Sequence, residues 1–184
     1  SDLQDNIDVR DGMLHITARK ESDGRVTSGR LTTEGKVEIA YGRWEARLKV
    51  PGVLGTWPAF WTLGNDIGEI SWPACGEIDI MEYVGSIPHH NLGGVHYAWL
   101  WSNNEWRDGN HGHKGAYYSF ETGQVPEVNP SYTTETADKD DPTTGHSGFH
   151  VYGIDWYQDR IEFFVDDKVY HIHHLNDGAA FKED

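Results

Sequence analysis

The sequence predicts an all-β protein built as a sandwich or jelly roll. Its dominant hydrophobic period is two, the period of β-strands, and we find no convincing helical period of 3.6 residues. Glycine is frequent, with 21 residues, and turn signals separate the strand-like runs. A chain of 184 residues suits one domain, residues 1–184, with a real hydrophobic core.

The first clear strand pattern lies in GRWEARLKV, residues 42–50. Its apolar residues alternate with charged ones, which predicts one buried and one solvated face. Other runs with a strand pattern are MLHITARKE, FHVYGIDWY and RIEFFVDDKVYHIHH. Asp166 and Asp167 stand where a hairpin turn belongs, since Asp tolerates tight-turn geometry. Residues 102–147 show little periodicity and predict a long loop, functional or partly disordered.

Charge and composition narrow the class of function. The chain carries 15 Lys and Arg against 30 Asp and Glu, a net charge of -15. Proteins that bind nucleic acids or anionic membranes are normally basic, so neither partner is expected. Eight Trp residues are more than a core of this size usually needs, so some are expected to face a ligand. The single cysteine, Cys75, excludes an internal disulfide framework and is expected to be a small packing residue.

The stretch WPACGEIDIMEYVG, residues 72–85, concentrates carboxylates in an apolar, strand-like run. Glu77 and Asp79 share a face of a regular strand, but Glu82 falls on the opposite face. A β-bulge near Ile80–Met81 would shift the register by one residue and bring Glu82 to the same face. Ile80, Met81 or both would then point into the core.

Three acids on one face raise one another's pKa, so that one stays protonated while another is ionised. This is the division of labour that a glycosidase needs, with one acid to protonate the leaving oxygen and one carboxylate to attack. A retaining enzyme holds the pair about 5–5.5 Å apart, which neighbours on one strand can supply. From the spacing alone, a metal site or a solvated edge strand remains an alternative.

Several motifs together resemble glycoside hydrolase family 16, and most closely its laminarinase-like endo-β-1,3-glucanases. They are GEIDIMEYVG, which carries the bulged signature Glu-x-Asp-x-x-Glu, and YGRWEARLKVPG, GTWPAFWTLG, TSGRL and FHVYGIDW. The resemblance runs through nearly the whole chain and is weakest in 102–147. It implies a concanavalin-like β-jelly roll of two curved antiparallel sheets with an open concave substrate cleft. Because family members usually carry further strands before Ser1 and after Asp184, we expect a partial domain.

The resemblance also implies the roles of the three acids. Glu77 is expected to be the nucleophile of a retaining double displacement and Glu82 its acid/base. Asp79 is expected to hydrogen-bond the nucleophile and tune its charge. The expected substrate is a β-1,3-glucan such as laminarin.

Six further side chains are candidates to bind the substrate: Trp57, Trp61, Trp72, His96, Trp101 and Arg30. The resemblance favours a place in the cleft for Trp57, Trp61 and His96, and Trp72 borders the carboxylate strand. A regular strand puts Trp57 and Trp61 on one face, where flat rings suit the apolar faces of sugars, although core packing is the alternative. His96 and Trp101 have opposite strand parity, so both face the cleft only if a bulge intervenes. Arg30 could bond sugar hydroxyls or serve a structural ion pair.

The remaining expectations concern cofactors, location and competing functions. No cofactor is required and no metal site is assigned, but a structural calcium ion, often present on the convex face in this family, stays open. A monomer is expected, extracellular or at the cell surface, because polymers must be cut outside the cell. The same mechanism could act on mixed-linkage β-glucan or on a galactan such as agarose, porphyran or carrageenan. A non-catalytic β-glucan-binding protein of the same fold is a third possibility, against which the three intact acids count.

Overall fold

The computed structural model of the protein describes residues 6–98, 111–138, 140–141 and 144–175. The chain groups into two compact units, residues 1–39 and 40–184. The expectation of a single domain over 1–184 stays a prediction. No helix in the described part of the chain is long and apolar enough to cross a membrane.

The N-terminal unit consists of two short antiparallel hairpins: β1 (Ile7–Arg10) with β2 (Met13–Ile16), and β3 (Arg19–Lys20) with β4 (Val26–Thr27). Asp11 and Gly12, which join β1 to β2, both have positive φ, as a two-residue hairpin turn requires. The side-chain amide of Asn6 donates hydrogen bonds to the Thr17 carbonyl at 2.8 Å and to the Thr27 hydroxyl at 3.1 Å. Asn6 thereby ties the two hairpins of this unit together.

The larger unit contains eight strands and one short helix among its described residues. In chain order they are β5 (Gly42–Leu48), β6 (Ala59–Leu63), α1 (Ile67–Ile70), β7 (Glu77–Glu82), β8 (His90–Ala98), β9 (His111–Ser119), β10 (His150–Trp156), β11 (Arg160–Val165) and β12 (Lys168–His174).

These strands form two four-stranded antiparallel sheets. We call the sheet of order β6-β7-β8-β9 the carboxylate sheet and the sheet of order β12-β11-β10-β5 the outer sheet. The core lies between them, because each of its two apolar clusters draws side chains from both sheets. Ile80 of β7 packs in one cluster with Ile154 and Phe163, and Met81 packs in the other with Tyr152. This arrangement confirms the predicted all-β sandwich.

Two local predictions are confirmed by the outer sheet. In β5, partly buried residues alternate with exposed ones, and Trp44 packs against the core. Asp166 and Asp167 connect β11 to β12 with φ of 49° and 61°, the left-handed values of a tight two-residue hairpin turn. The Asp166 carboxylate also accepts a hydrogen bond from the Val151 backbone N–H at 2.8 Å, which fixes the turn against β10.

The prediction of a loop over 102–147 is wrong for part of that segment. Strand β9 pairs with β8 without a break, from His90 opposite Ser119 to Ala98 opposite His111. The run HGHKGAYYS is rich in glycine and histidine and lacks the apolar alternation by which a strand is normally recognised. Its strand conformation is stabilised by pairing with β8. Residues 102–110 lie outside the described residues, and most of 120–138 is irregular.

Candidate active site

Strand β7 contains the predicted bulge. Its register slips by one residue against both neighbours: Phe60 opposite Met81 is followed by Trp61 opposite Asp79, and Asp79 opposite Gly94 is followed by Glu82 opposite Leu92. Ile80 and Met81 therefore both point into the core, where they are buried. The extra residue returns Glu82 to the face that carries Glu77 and Asp79.

Asp79 is the most deeply buried of the three acids, with 3% of its surface exposed. Burial, followed by the charges of Glu82 and Glu77 and a hydrogen bond with Glu77, raises the pKa of Asp79 to about 8. At neutral pH the Asp79 carboxyl is therefore mainly protonated, and its O–H donates a hydrogen bond to Glu77. This arrangement avoids three adjacent negative charges on one strand.

Two indole N–H groups bind the outer two acids. Trp57 Nε1 donates to Glu82 Oε1 at 2.9 Å, and Trp72 Nε1 donates to Glu77 Oε2. Burial raises the pKa of Glu82, the Trp57 hydrogen bond lowers it, and the charge of Glu77 raises it again, with a net upward shift. The residues Trp57 and Trp72 are 62% and 45% exposed, so both offer aromatic surface to solvent beside the acids.

A group of imidazole rings lies next to Glu77 and Asp79. His96 pairs with Glu77 in the β7–β8 ladder, and its Nε2 lies 3.1 Å from Asp79 Oδ2. Oδ2 has no hydrogen-bond partner among the described residues, so this close approach is not a hydrogen bond. The His96 ring stacks with those of His111 and His113, at 4.8 and 4.4 Å between centroids. Burial, with the neighbouring His113, lowers the pKa of His96, so its ring is neutral at pH 7.

The face broadens towards β9 around a glycine pair. Gly94 lies opposite Asp79 on one side and Gly115 on the other, so these positions carry no side chain of their own and the His113 ring lies over them. A Cβ on Gly94 would approach His113 Nε2 to 3.0 Å. A cavity of ≈530 Å³ opens beside this glycine pair, lined by Leu92, His113, Lys114, Gly115, Tyr117, Asn129 and His171.

Four of the six predicted substrate-binding residues lie beside the acids. Trp57, Trp72 and His96 contact them directly, and Trp61 lies opposite Asp79 in the ladder. On β8, His96 lies on the face that carries the acids. Its neighbour Tyr97 lies on the opposite face and packs against the core. Arg30 belongs to the unit 1–39, and Trp101 lies outside the described residues. Their expected roles stay predictions.

Sequence reasoning missed three residues on this face, His111, His113 and Tyr117. Leu92 of β8 pairs with Glu82 on one side and with Tyr117 on the other, so Tyr117 and Glu82 lie on the same face. Burial raises the pKa of Tyr117, and the charge of Glu82 contributes to the same shift. The same-face spacing of His111-x-His113 is a usable signal, but only if the run is first recognised as a strand.

One group of side chains in the described residues has the spacing of metal ligands. Donor atoms of Asp79, Glu82 and His96 all lie within 4.8 Å of one another. Calcium takes about 6–8 oxygen ligands, so this group does not match the calcium ion that the family resemblance left open. We assign no metal to it.

Comparisons with known proteins fit this geometry. The sequence profile described as glycosyl hydrolases family 16 matches residues 2–181. A beta-glucanase of Rhodothermus marinus is 37% identical over 171 residues, which cover 91% of this chain and 50% of that protein. A glucan endo-1,3-beta-glucosidase A1 of Niallia circulans is 31% identical over 175 residues, covering 90% of this chain and 22% of that protein. The chain thus spans half or less of the length of these relatives.

Among solved structures, the laminarinase catalytic domain of Thermotoga maritima superposes with a TM-score of 0.71 at 37% identity. The match covers 95% of this chain and 61% of that one. The two antiparallel sheets thus follow the jelly roll that the sequence motifs implied. With a family profile that spans nearly all of its residues, the chain belongs to glycosyl hydrolases family 16.

Proposed function

We propose that the protein is a retaining, endo-acting glycoside hydrolase that cleaves β-1,3-glucosidic bonds in β-glucans such as laminarin. The bulge in β7 carries this proposal, because it brings Glu77, Asp79 and Glu82 to one face beside exposed aromatic rings. The names of the relatives, glucan endo-1,3-beta-glucosidase and laminarinase, support the choice of linkage.

In the first step, a carboxylate oxygen of Glu77 attacks the anomeric carbon while Glu82 gives its proton to the leaving oxygen. The bond between that carbon and the leaving oxygen breaks, and a covalent glycosyl-enzyme forms. Asp79 supports the attack by donating its hydrogen bond to Glu77 and by staying neutral, since its pKa is raised to about 8. The upward shift in the pKa of Glu82 favours the protonated form that this step requires.

In the second step, Glu82 acts as a base. Once Glu77 is esterified, its negative charge is gone, so Glu82 loses a neighbour that raises its pKa. The ionised Glu82 then takes a proton from water, whose oxygen bonds to the anomeric carbon and releases Glu77. The product keeps the configuration of the substrate.

The aromatic rings supply the proposed binding surface for the sugar. The exposed faces of Trp57 and Trp72 suit the apolar faces of glucosyl units, with Trp61 and His96 alongside. The expected roles of Trp101 and Arg30 in sugar binding stay predictions from the sequence. A net charge of -15 favours a neutral glucan over a sulfated galactan. Secretion, a monomeric state and the absence of a required cofactor are part of the proposal, and the question of a structural calcium ion stays open.

Reducing-sugar release from a panel of polymers tests the proposal. We expect release from laminarin and curdlan, less from lichenan, and none from agarose or carrageenan. The Glu77→Gln variant should lose turnover and still be retarded by laminarin in affinity electrophoresis. Release from a galactan alone would overturn the substrate, and laminarin binding without hydrolysis by the wild type would favour a binding protein.

A further inference from the structure

The hydrogen bond between Trp57 and Glu82 joins two different segments of the chain. Trp57 lies two residues before β6, and Ala59, the first residue of β6, stands directly opposite Glu82. The pairing of β6 with β7 therefore sets the position of the indole relative to the carboxyl. The indole N–H can only donate, so it must meet an oxygen lone pair of Glu82, and it meets Oε1 at 2.9 Å.

We propose that Trp57 is a positioning residue for the acid/base, whose N–H holds Glu82 Oε1 and leaves Oε2 to carry and transfer the proton. The inference rests on the proposed function and assigns Trp57 a role beyond stacking on sugar. An N–H that occupies Oε1 fixes the rotation of the carboxyl group. The oxygen that faces the leaving group is then the same one in every turnover.

The hydrogen bond also has a consequence for charge. As the proton moves from Oε2 to the glycosidic oxygen, Glu82 becomes negative while the bond to the anomeric carbon breaks. An N–H directed at Oε1 stabilises that developing charge, and charge-assisted hydrogen bonds are about twice as strong as neutral ones. A ring that only stacked on the sugar would leave the charge on Glu82 unaffected.

Several groups face Glu82 besides Trp57. Glu77 and Asp79 come from its own strand, His96 from β8 and Tyr117 from β9. Burial and the charge of Glu77 oppose ionisation of Glu82, and the N–H of Trp57 favours it. Trp72 makes the corresponding hydrogen bond to Glu77, so each of the two carboxyls accepts a hydrogen bond from one indole.

A titration that needs no substrate tests the first half of the inference. The side-chain carboxyl of Glu82 is followed by carbon-13 NMR, with its signal assigned by Glu82→Gln, in the wild type and in Trp57→Phe. Trp44→Phe is the matched control, since Trp44 donates its N–H to the Tyr41 carbonyl at 3.2 Å and lies in the outer sheet. We expect a higher pKa for Glu82 in Trp57→Phe and the wild-type value in Trp44→Phe. An unchanged titration in Trp57→Phe would overturn the inference.

Kinetics with two leaving groups test whether Trp57 assists proton transfer from Glu82 to the leaving oxygen. On a laminari-oligosaccharide, whose leaving oxygen needs a proton, Trp57→Phe should lose about tenfold or more in kcat/KM. On a dinitrophenyl laminaribioside, whose leaving group needs no proton, the loss in the glycosylation step should be several-fold smaller. Equal losses on both substrates would show that Trp57 only binds the sugar, and would overturn its role in positioning Glu82. If the wild type cleaves no β-1,3-glucan, the proposed function fails, while the carboxyl titration still decides whether Trp57 positions Glu82.

Discussion

Ile80 and Met81 are consecutive residues of one strand, and both of their side chains lie in the core, 1% and 2% exposed. Consecutive strand residues normally point to opposite sides. The extra residue of the bulge places both side chains on the core side, and the same extra residue brings Glu82 to the face of Glu77. The core packing of the pair and the placement of the acids are therefore one structural feature.

Truncating Ile80 should cost stability because it opens a cavity between the sheets. Ile80→Ala is expected to lower the free energy of unfolding by about 2–5 kcal/mol. Ile172→Ala, at a side chain 44% exposed in the outer sheet, should change it by less than about 0.5 kcal/mol. Urea unfolding followed by circular dichroism measures both, and similar losses in the two variants would contradict the assigned core.

The buried proton of Asp79 should make stability depend on pH. Its pKa is about 8 in the folded protein against 3.8 for the ordinary group, so folding favours the protonated form. Its contribution to stability is therefore complete below about pH 4 and is lost as the pH rises through about 8.

Asp79→Asn removes this titration and should flatten the fall in the free energy of unfolding between those pH values. The effect is on the order of several kcal/mol, since one pKa unit corresponds to about 1.4 kcal/mol. Urea unfolding at a series of pH values measures it, with Glu45→Gln on the exposed side of β5 as control. Parallel curves for wild type and Asp79→Asn would show that Asp79 is already ionised.

Cys75 should be chemically inert although it lies two residues from the proposed nucleophile. Burial first, and the charges of Asp66 and Glu77 to a lesser extent, raise the pKa of its thiol, and the thiolate is the reactive form. We expect iodoacetamide at pH 7 to leave hydrolysis unchanged and Cys75→Ser to match the wild type. Inactivation of the wild type but not of Cys75→Ser would show that the thiol is accessible and reactive.

The sequence predicts much of the site because its spacing carries geometric information. If the three carboxylates are to lie on one face of the strand, an extra residue is required between Asp79 and Glu82. Their spacing therefore implies the bulge. The parity of β8 likewise forces a choice between His96 and Trp101, and the structure places His96 beside Asp79.

Other features depend on pairing that the sequence does not encode locally. Strand β9 lacks a clear apolar alternation, so its pattern does not assign His111, His113 and Tyr117 to the carboxylate face. Spacing predicts that the three acids share their protons unequally, but burial makes Asp79 the most strongly shifted, and burial is a tertiary property. The direction of the Trp57 N–H depends on a side-chain rotamer, which strand parity cannot predict.

The division of labour between Glu77 and Glu82 is tested most directly by azide rescue with a dinitrophenyl laminaribioside. In Glu82→Ala, the glycosyl-enzyme still forms on Glu77, and azide, which needs no base, should release it as the β-glycosyl azide. In Glu77→Ala, azide should attack in place of the missing nucleophile and give the α-glycosyl azide. Proton NMR of the anomeric signal distinguishes the two products. A β-azide from Glu82→Ala and an α-azide from Glu77→Ala are the results that the account predicts, and the reverse pair would contradict it.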